Sequence, residues 1–269
     1  MIPKIIHYCW FGPRPMPKEH LQYIQNWKRI MPDYEYICWN EEKIDVQSSP
    51  FLKQAYESKM WAFVADYTRV YALLKYGGVY LDTDVEVFQP FDAYLKHRFF
   101  TSVEFHPNYS DASKLPKILD NQGRRLPGGP LKKKIPGIGL MSAIFGAEAN
   151  LDFLRKLLSW YDQMSFEENR RENYTIPTTL AIVAEEYGFR YKNEMQLLKN
   201  SIAIYPSFVF ADFRTRNKQS VAVHHCEGSW TSHNAGLVKK IINEIYKHAW
   251  TRGAYMKFRN LFTKYPVKY

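Results

Sequence analysis

Apolar and polar positions alternate with two different periods along the first third of the chain. Lys4 to Trp10, KIIHYCW, is a β-rich run ending at Phe11-Gly12 and a loop studded with Pro13, Pro15 and Pro17. That is the pattern of a buried strand delivering a loop to its carboxyl end. Leu21, Ile24 and Trp27 then fall three apart and predict one apolar helical face, closed by Pro32-Asp33 before a second strand, YEYICWN. A short helix-like segment covers Pro50 to Glu57. After it, SKMWAFVADYTRVYALLKYGG sets Trp61, Val64, Thr68, Tyr71 and Leu74 at helical spacing and stops on Gly77-Gly78. Strands alternating with helices predict right-handed crossovers and an α/β fold with a mainly parallel central sheet flanked by helices. Ligands of such sheets bind beyond the carboxyl ends of the strands.

The next run, YGGVYLDTDVEVF (Tyr76 to Phe88), carries Asp82 and Asp84 inside an otherwise apolar stretch. Read as one strand, it puts Val79, Leu81, Val85 and Val87 on one face and Asp82, Asp84 and Glu86 on the other. Two ionised carboxylates that close repel each other and are costly to desolvate, so the pair marks either a wet strand end or a metal site. Trp10 and the aspartate pair both fall at predicted strand ends.

Between about Thr101 and Pro136 the pattern dissolves into Pro, Gly and charge (NQGRRLPGGPLKKKIPG), too long for an ordinary connection. This predicts a lid or acceptor-facing loop over 101–136. GLMSAIFGAEANLDFLRKLLSWYDQM then reads as strand followed by helix, PTTLAIVAEEYG as a helix, and VAVHHCEGSW as a strand returning chemistry to the site. In that last run alternation splits His224 and Cys226 from His225, so one of the two histidines faces the aspartates.

Charge and cysteine content narrow the classes. The chain has 269 residues and a formal charge of +10, which favours polyanionic partners. Eight Lys/Arg against Glu244 alone lie from Lys239 onward, and a second cluster is Arg124, Arg125 and Lys132 to Lys134. Basicity confined to one end and one loop speaks against a nucleic-acid groove. From Leu237 to Trp250 apolar residues recur three or four apart, and beyond Gly253 aromatic and apolar residues alternate with Lys257, Arg259 and Lys264. Residues 237–269 thus form a basic amphipathic segment, either a helix packed on the core or a surface that meets anionic lipid. Cys9, Cys38 and Cys226 have no CxxC spacing, MIPKIIHYCWFG lacks the apolar core of a signal peptide, and no run approaches a membrane span. The expectation is a cytoplasmic protein, peripheral at the inner face of the cell membrane if the tail docks there.

Four ordered blocks, IPKIIHYCWFG, IQNWKRIMPDYEYICWN, ADYTRVYALLKYGGVYLDTDVEVFQPFD and VHHCEGSW, resemble the DXD-containing capsular-polysaccharide glycosyltransferases of family 32. The same blocks are similar to the catalytic domain of large glucosylating bacterial toxins. The resemblance implies a GT-A nucleotide-sugar-binding fold over residues 1–236 and retaining transfer from a UDP-sugar to a glycan or lipid-linked glycan acceptor. It also implies Mn²⁺ or Mg²⁺ between the DxD and the diphosphate. By the same resemblance Asp84 is the direct metal ligand, and Asp82 a ligand through water or a contact to the ribose. Asp66 and Arg69 hold the donor-sugar hydroxyls and Trp10 stacks on the uracil. His224 is preferred over His225 as a metal ligand, and Ser229 and Trp230 reach the metal and diphosphate. Two positions depart from the family pattern: Ser142 stands where Asn is expected, and Thr178 follows Pro177 where a Gly-Pro pair is usual.

Each of these residues also has an ordinary structural role open to it: Asp66 and Arg69 as an i,i+3 ion pair, Trp10 and Trp230 as core aromatics, His224 as a packed histidine. No residue stands out as a covalent nucleophile, so retention implies front-face departure and attack, with a donor phosphate oxygen as base. The competing classes are a metal-dependent phosphohydrolase, for which Glu86 is the only extra acid beside the pair, and a noncatalytic nucleotide-sugar-binding protein.

Overall fold

A computed structural model describes residues 1–106, 115–127, 134–163, 165–167 and 175–227. The tail from 237, with Ser229 and Trp230, lies outside the described residues, as do 107–114 and 128–133 within the 101–136 stretch.

The chain opens β1 (Ile5–Cys9), α1 (Lys18–Ile30), β2 (Glu35–Trp39), α2 (Pro50–Glu57), α3 (Trp61–Tyr76). Then come β3 (Gly78–Leu81), β4 (Val85–Val87), β5 (Phe99–Phe105), β6 (Ile138–Leu140) and β7 (Ile144–Ala147). Helices α4 (Asp152–Gln163) and α5 (Ile176–Glu185) follow, and strands β8 (Gln196–Leu198), β9 (Ile202–Tyr205), β10 (Phe210–Asp212) and β11 (Ala222–His224) end the described chain.

An eight-stranded sheet runs β2-β1-β3-β7-β5-β9-β8, with β6 pairing β5 off that path. β1, β2 and β3 are mutually parallel, β5 and β9 point the same way, and β7, β6 and β8 run against them. A second sheet, β10-β11-β4, lies beside it. Strand alternation divides the core into two layers. Tyr80, Phe99, Phe145, Ile202 and Ile204 face α2, α3, α4 and α5. Val79, Leu81, Phe100, Ile144 and Ala203 face α1 and the small sheet.

Three expectations need correcting. The Tyr76–Phe88 run is two strands: β3 ends at Leu81, the chain turns with Val85 N–H bonded to the Asp82 carbonyl at 3.1 Å, and β4 joins the other sheet. Leu21 is 46% exposed, and His20 takes its place beside Ile24 and Trp27 on the buried face of α1. Thr101 to Phe105 are the second half of β5, with the Thr101 and Ser102 hydroxyls donating to the carbonyls of Met141, Ile144 and Phe210. Internal bonds of that kind let a polar strand be buried. Arg125, a member of the basic loop cluster, makes a bidentate pair with Glu185 and is nearly buried.

The Gly77-Gly78 pair is required by the turn from α3 into β3. Gly78 has φ +111, and a Cβ there would stand 2.6 Å from the Ile5 carbonyl and 3.1 Å from the His7 ring. His7 is fully buried in that crossing. Its Nε2 lies 2.8 Å from the Gly77 carbonyl, and its Nδ1 accepts from Trp39 Nε1 at 3.0 Å, so the neutral Nε2–H tautomer satisfies both neighbours. Burial lowers its pKa from 6.5 to about 4, against the Gly77 bond, which raises it. The unfolded chain therefore takes up a proton below about pH 6.5 that the folded chain refuses until about pH 4. Stability is full above pH 6.5 and falls through that window, by up to about 3 kcal/mol. Chemical denaturation at pH 7.0 and 4.5 checks this. His7→Phe is expected to be less stable at pH 7, because Trp39 and Gly77 lose partners, but to lose less on acidification.

Candidate functional site

The site is built on the turn between the two sheets. Asp82 follows β3 directly, its N–H donating to the Ala143 carbonyl at 2.9 Å, and Asp84 precedes β4. The two-residue turn of Thr83 and Asp84 keeps both carboxylates at one strand end, Asp82 beside Arg69 and Asp84 beside His224. Asp82 sits on the α3 side and Asp84 on the small-sheet side.

On the α3 side, Tyr80 donates to Asp82 Oδ1 at 2.8 Å, and Arg69 Nη2 pairs with Asp82 at 3.2 Å and Asp66 at 3.1 Å. Arg69 also donates to the Ser142 carbonyl at 2.8 Å and lies 4.5 Å over the Tyr80 ring. It is 5% exposed. A planar fork with several donors suits such a cage in a way a point charge does not. Burial pushes Asp66 up to about 6, against the pull of Arg69. The pair is therefore more than a surface i,i+3 contact: it ties α3 to the turn.

On the other side His224, the last residue of β11, brings Nε2 to 3.2 Å from Asp84 and 3.8 Å from Asp82. Asp84 Oδ2 accepts from the Glu227 N–H at 2.7 Å, and the Asp84 carbonyl from the His225 N–H at 3.1 Å. Burial disfavours the Asp84 charge, yet His224 and the Glu227 N–H hold its carboxyl well below the usual carboxylate range. Burial likewise opposes charge on His224, and Asp84 overrides it, raising the imidazole well above the usual histidine range. His225 turns away: its ring stacks on Tyr23 at 5.2 Å between centroids and meets Glu86 at 3.1 Å. Glu86 is thus engaged with His225.

Ligand-type atoms of Asp82, Asp84 and His224 all lie within 4.8 Å of one another, the one such cluster among the described residues. Two carboxylates and an imidazole are a donor set that suits a divalent ion, and the imidazole leans it towards Mn²⁺ over Mg²⁺. Trp10 follows β1 directly and is half-buried, with its indole N–H on the Arg14 carbonyl at 2.7 Å and its ring 5.7 Å from that of His20, edge-on. The structure brings together Asp66, Arg69, Asp82, Asp84 and His224.

The sequence alone gives no site role to Tyr80, His20 or Glu227, and places Cys226 only on the face it shares with His224. Cys226 Sγ is 3.3 Å from His224 Nδ1. His20 carried a usable signal, since a histidine four before Ile24 and seven before Trp27 sits on the helix's apolar face. Tyr80 was hidden because a buried strand aromatic ordinarily reads as core.

Comparison with known proteins shows what this region of the chain is similar to. Residues 17–101 match the family described as glycosyltransferase sugar-binding region containing DXD motif. The chain carries that DXD region. It runs from the start of α1 through both aspartates into β5 and takes in Asp66 and Arg69, while Trp10 and His224 lie outside it. Among curated relatives, inositol phosphoceramide mannosyltransferase 3 of Schizosaccharomyces pombe is 35% identical over 88 residues, covering 31% of this chain and 24% of that protein. Mannosyl phosphorylinositol ceramide synthase CSH1 of Saccharomyces cerevisiae is 33% identical over 88 residues, covering 31% and 23%. The chain thus spans about a quarter of the length of these relatives. A solved structure of the galactosyltransferase LgtC with donor and acceptor sugar analogs aligns over 93% of this chain and 99% of that one, at 11% identity and a TM-score of 0.47. Among the described residues no helix is long and apolar enough to cross a membrane.

Proposed function

We propose that this protein transfers a sugar from a nucleoside-diphosphate sugar, in the first instance a UDP-sugar, to a glycan or lipid-linked glycan acceptor, with retention at the anomeric carbon. The observation that carries the reading is the meeting of Asp82, Asp84 and His224 at a strand end, with Asp82 held by Arg69 inside the DXD region. Mn²⁺ or Mg²⁺ held by Asp82, Asp84 and His224 would supply positive charge against the departing diphosphate. By the family resemblance, Asp84 would hold the ion directly, and Asp82 would hold it through water or touch the ribose. Arg69 and Asp66 orient the donor-sugar hydroxyls, a role supported by their rigid mutual pairing. Trp10, at the carboxyl end of β1, offers a flat face for the base. By the family resemblance, Ser229 and Trp230 would reach the metal and the diphosphate.

A lipid acceptor is favoured by the curated relatives, whose names describe mannosyl transfer to inositol phosphoceramide. The basic amphipathic 237–269 segment supports docking at an anionic membrane surface on the cytoplasmic side, in the service of capsular, exo- or lipopolysaccharide synthesis. Residues 1–236 are read as the GT-A catalytic unit.

The test is a panel of UDP- and GDP-linked sugars, each incubated with Mn²⁺, with Mg²⁺ or with EDTA, and scored for nucleotide release with and without glycan or lipid-linked acceptors. One donor is expected to be hydrolysed slowly in a metal-dependent way, and faster once an acceptor is added. Release of inorganic phosphate from phosphomonoesters, unaffected by acceptor, would establish the phosphohydrolase. Donor binding without turnover under every condition would establish the binding protein.

A further inference from the structure

The first helix carries a row of side chains that the reaction does not use directly. His20, Tyr23 and Trp27 lie three and four apart, so they share one face of α1. Trp27 donates its indole N–H to the Val85 carbonyl at 2.8 Å, fixing α1 along β4. Tyr23 stacks on His225. His20 is 1% exposed, with Nδ1 2.9 Å from the Thr83 hydroxyl and Nε2 3.2 Å from the Glu227 carboxylate.

Those two partners are distant in sequence and adjacent in chemistry. Thr83 is the middle residue of the DxD turn. Glu227 uses its backbone N–H to hold Asp84, three residues after His224. One buried imidazole therefore spans the turn that presents the two aspartates and the segment that presents the histidine. We infer that His20 is a positioning residue: with Tyr23 beside it, it latches the 225–227 segment onto the DxD turn and so sets His224 in place opposite Asp82 and Asp84. This rests on the metal-dependent transferase reading for its purpose, though the latch itself is a property of the fold.

Burial gives the latch its force. A half-paired imidazole at 1% exposure is costly, so the ring favours the arrangement in which both nitrogens are engaged. Losing either partner leaves the other free to shift, and metal ligands tolerate little displacement before affinity suffers. Loss of outer contacts of this type costs about 10–100-fold in metal affinity.

Two readouts test this. The first is amide hydrogen exchange in the metal-free protein at His225 and Glu227, whose N–H groups bond to Asp84, referenced to the amides of β1, which report global opening. The second is the Kd for Mn²⁺ alone, by titration calorimetry. His20→Ala and Thr83→Val are each expected to speed exchange at His225 and Glu227 at least tenfold over the β1 reference and to weaken Mn²⁺ binding at least tenfold. The double variant should be no worse than the weaker single, since both break one link. His20→Gln, which can still donate and accept, should recover part of the loss, and Leu21→Ala, on the exposed side of α1, should stay within twofold of wild type. If His20→Ala does not fold, Thr83→Val, nearly isosteric, decides alone. Exchange and Mn²⁺ affinity within twofold of wild type in a folded Thr83→Val protein would overturn the latch. Faster exchange in a protein whose wild type binds no Mn²⁺ would leave the latch standing and remove the metal-dependent reading instead.

Discussion

Asp84→Asn is expected to lower glycosyl transfer by at least a hundredfold at saturating donor and Mn²⁺, while the variant folds as wild type does. The amide is the more telling replacement because its oxygen can still accept the Glu227 N–H that Asp84 holds at 2.7 Å. The backbone contact from His225 to the Asp84 carbonyl also persists. What is removed is one negative charge of the two that Asp82 and Asp84 bring to His224. A charge acting on the leaving group in a water-poor site contributes about 3 kcal/mol or more to the barrier, which is the hundredfold expected. Asp84→Ala should lose at least as much, since it also frees Glu227. Rates are measured by nucleotide release and folding by circular dichroism and thermal midpoint. A folded Asp84→Asn protein retaining more than a tenth of wild-type rate in excess Mn²⁺ would remove Asp84 from the metal site.

Why so much of this site was legible, and some of it not, follows from how each residue is held. The α2 bounds, Pro50 to Glu57, are set by a proline at the first helical position and local spacing, and both are visible in sequence. The aspartates were visible because spacing by two survives a short turn. That turn itself was hidden: Val85-Glu86-Val87 continues the alternation of Val79-Tyr80-Leu81, and the break is made by the Ala143 carbonyl and by strand β11, both far along the chain. Leu21 misled for a related reason. A helix buries only the wedge its neighbours cover, and here Thr83 and Glu227 pull the wedge towards His20. From Thr101 the β5 strand reads as loop because Thr, Ser and Glu interrupt its apolar pattern, and the partners of Thr101 and Ser102, the carbonyls of Met141, Ile144 and Phe210, are all remote.

Arg69→Lys is the second large effect. The guanidinium serves Asp66, Asp82 and the Ser142 carbonyl at once, with its Nε on the Ala65 carbonyl at 3.2 Å and its plane over Tyr80. An ammonium at the end of a lysine is one point with three donors and no plane. It can satisfy Asp66 or Asp82 well, but it cannot hold both in one geometry. Asp82 would keep its bond from Tyr80 and lose its fixed orientation, and Asp66, already pushed up to about 6 by burial, would lose part of the only charge opposing that rise. If Arg69 and Asp66 orient the donor sugar, the cost falls on the transition state. The expected loss in kcat/KM for transfer is about 10–100-fold, equivalent to roughly 1.4–2.8 kcal/mol. The affinity for free nucleoside diphosphate with Mn²⁺ should change no more than threefold, because the charge near Asp82 is conserved. The fold should be somewhat less stable, since a buried arginine cage is replaced by a partly paired ammonium. Steady-state kinetics beside calorimetric titration of the nucleotide separates the cases. Equal losses in rate and in nucleotide affinity would place Arg69 on the diphosphate, and a loss of stability with unchanged kinetics would reduce it to a structural tie between α3 and the DxD turn.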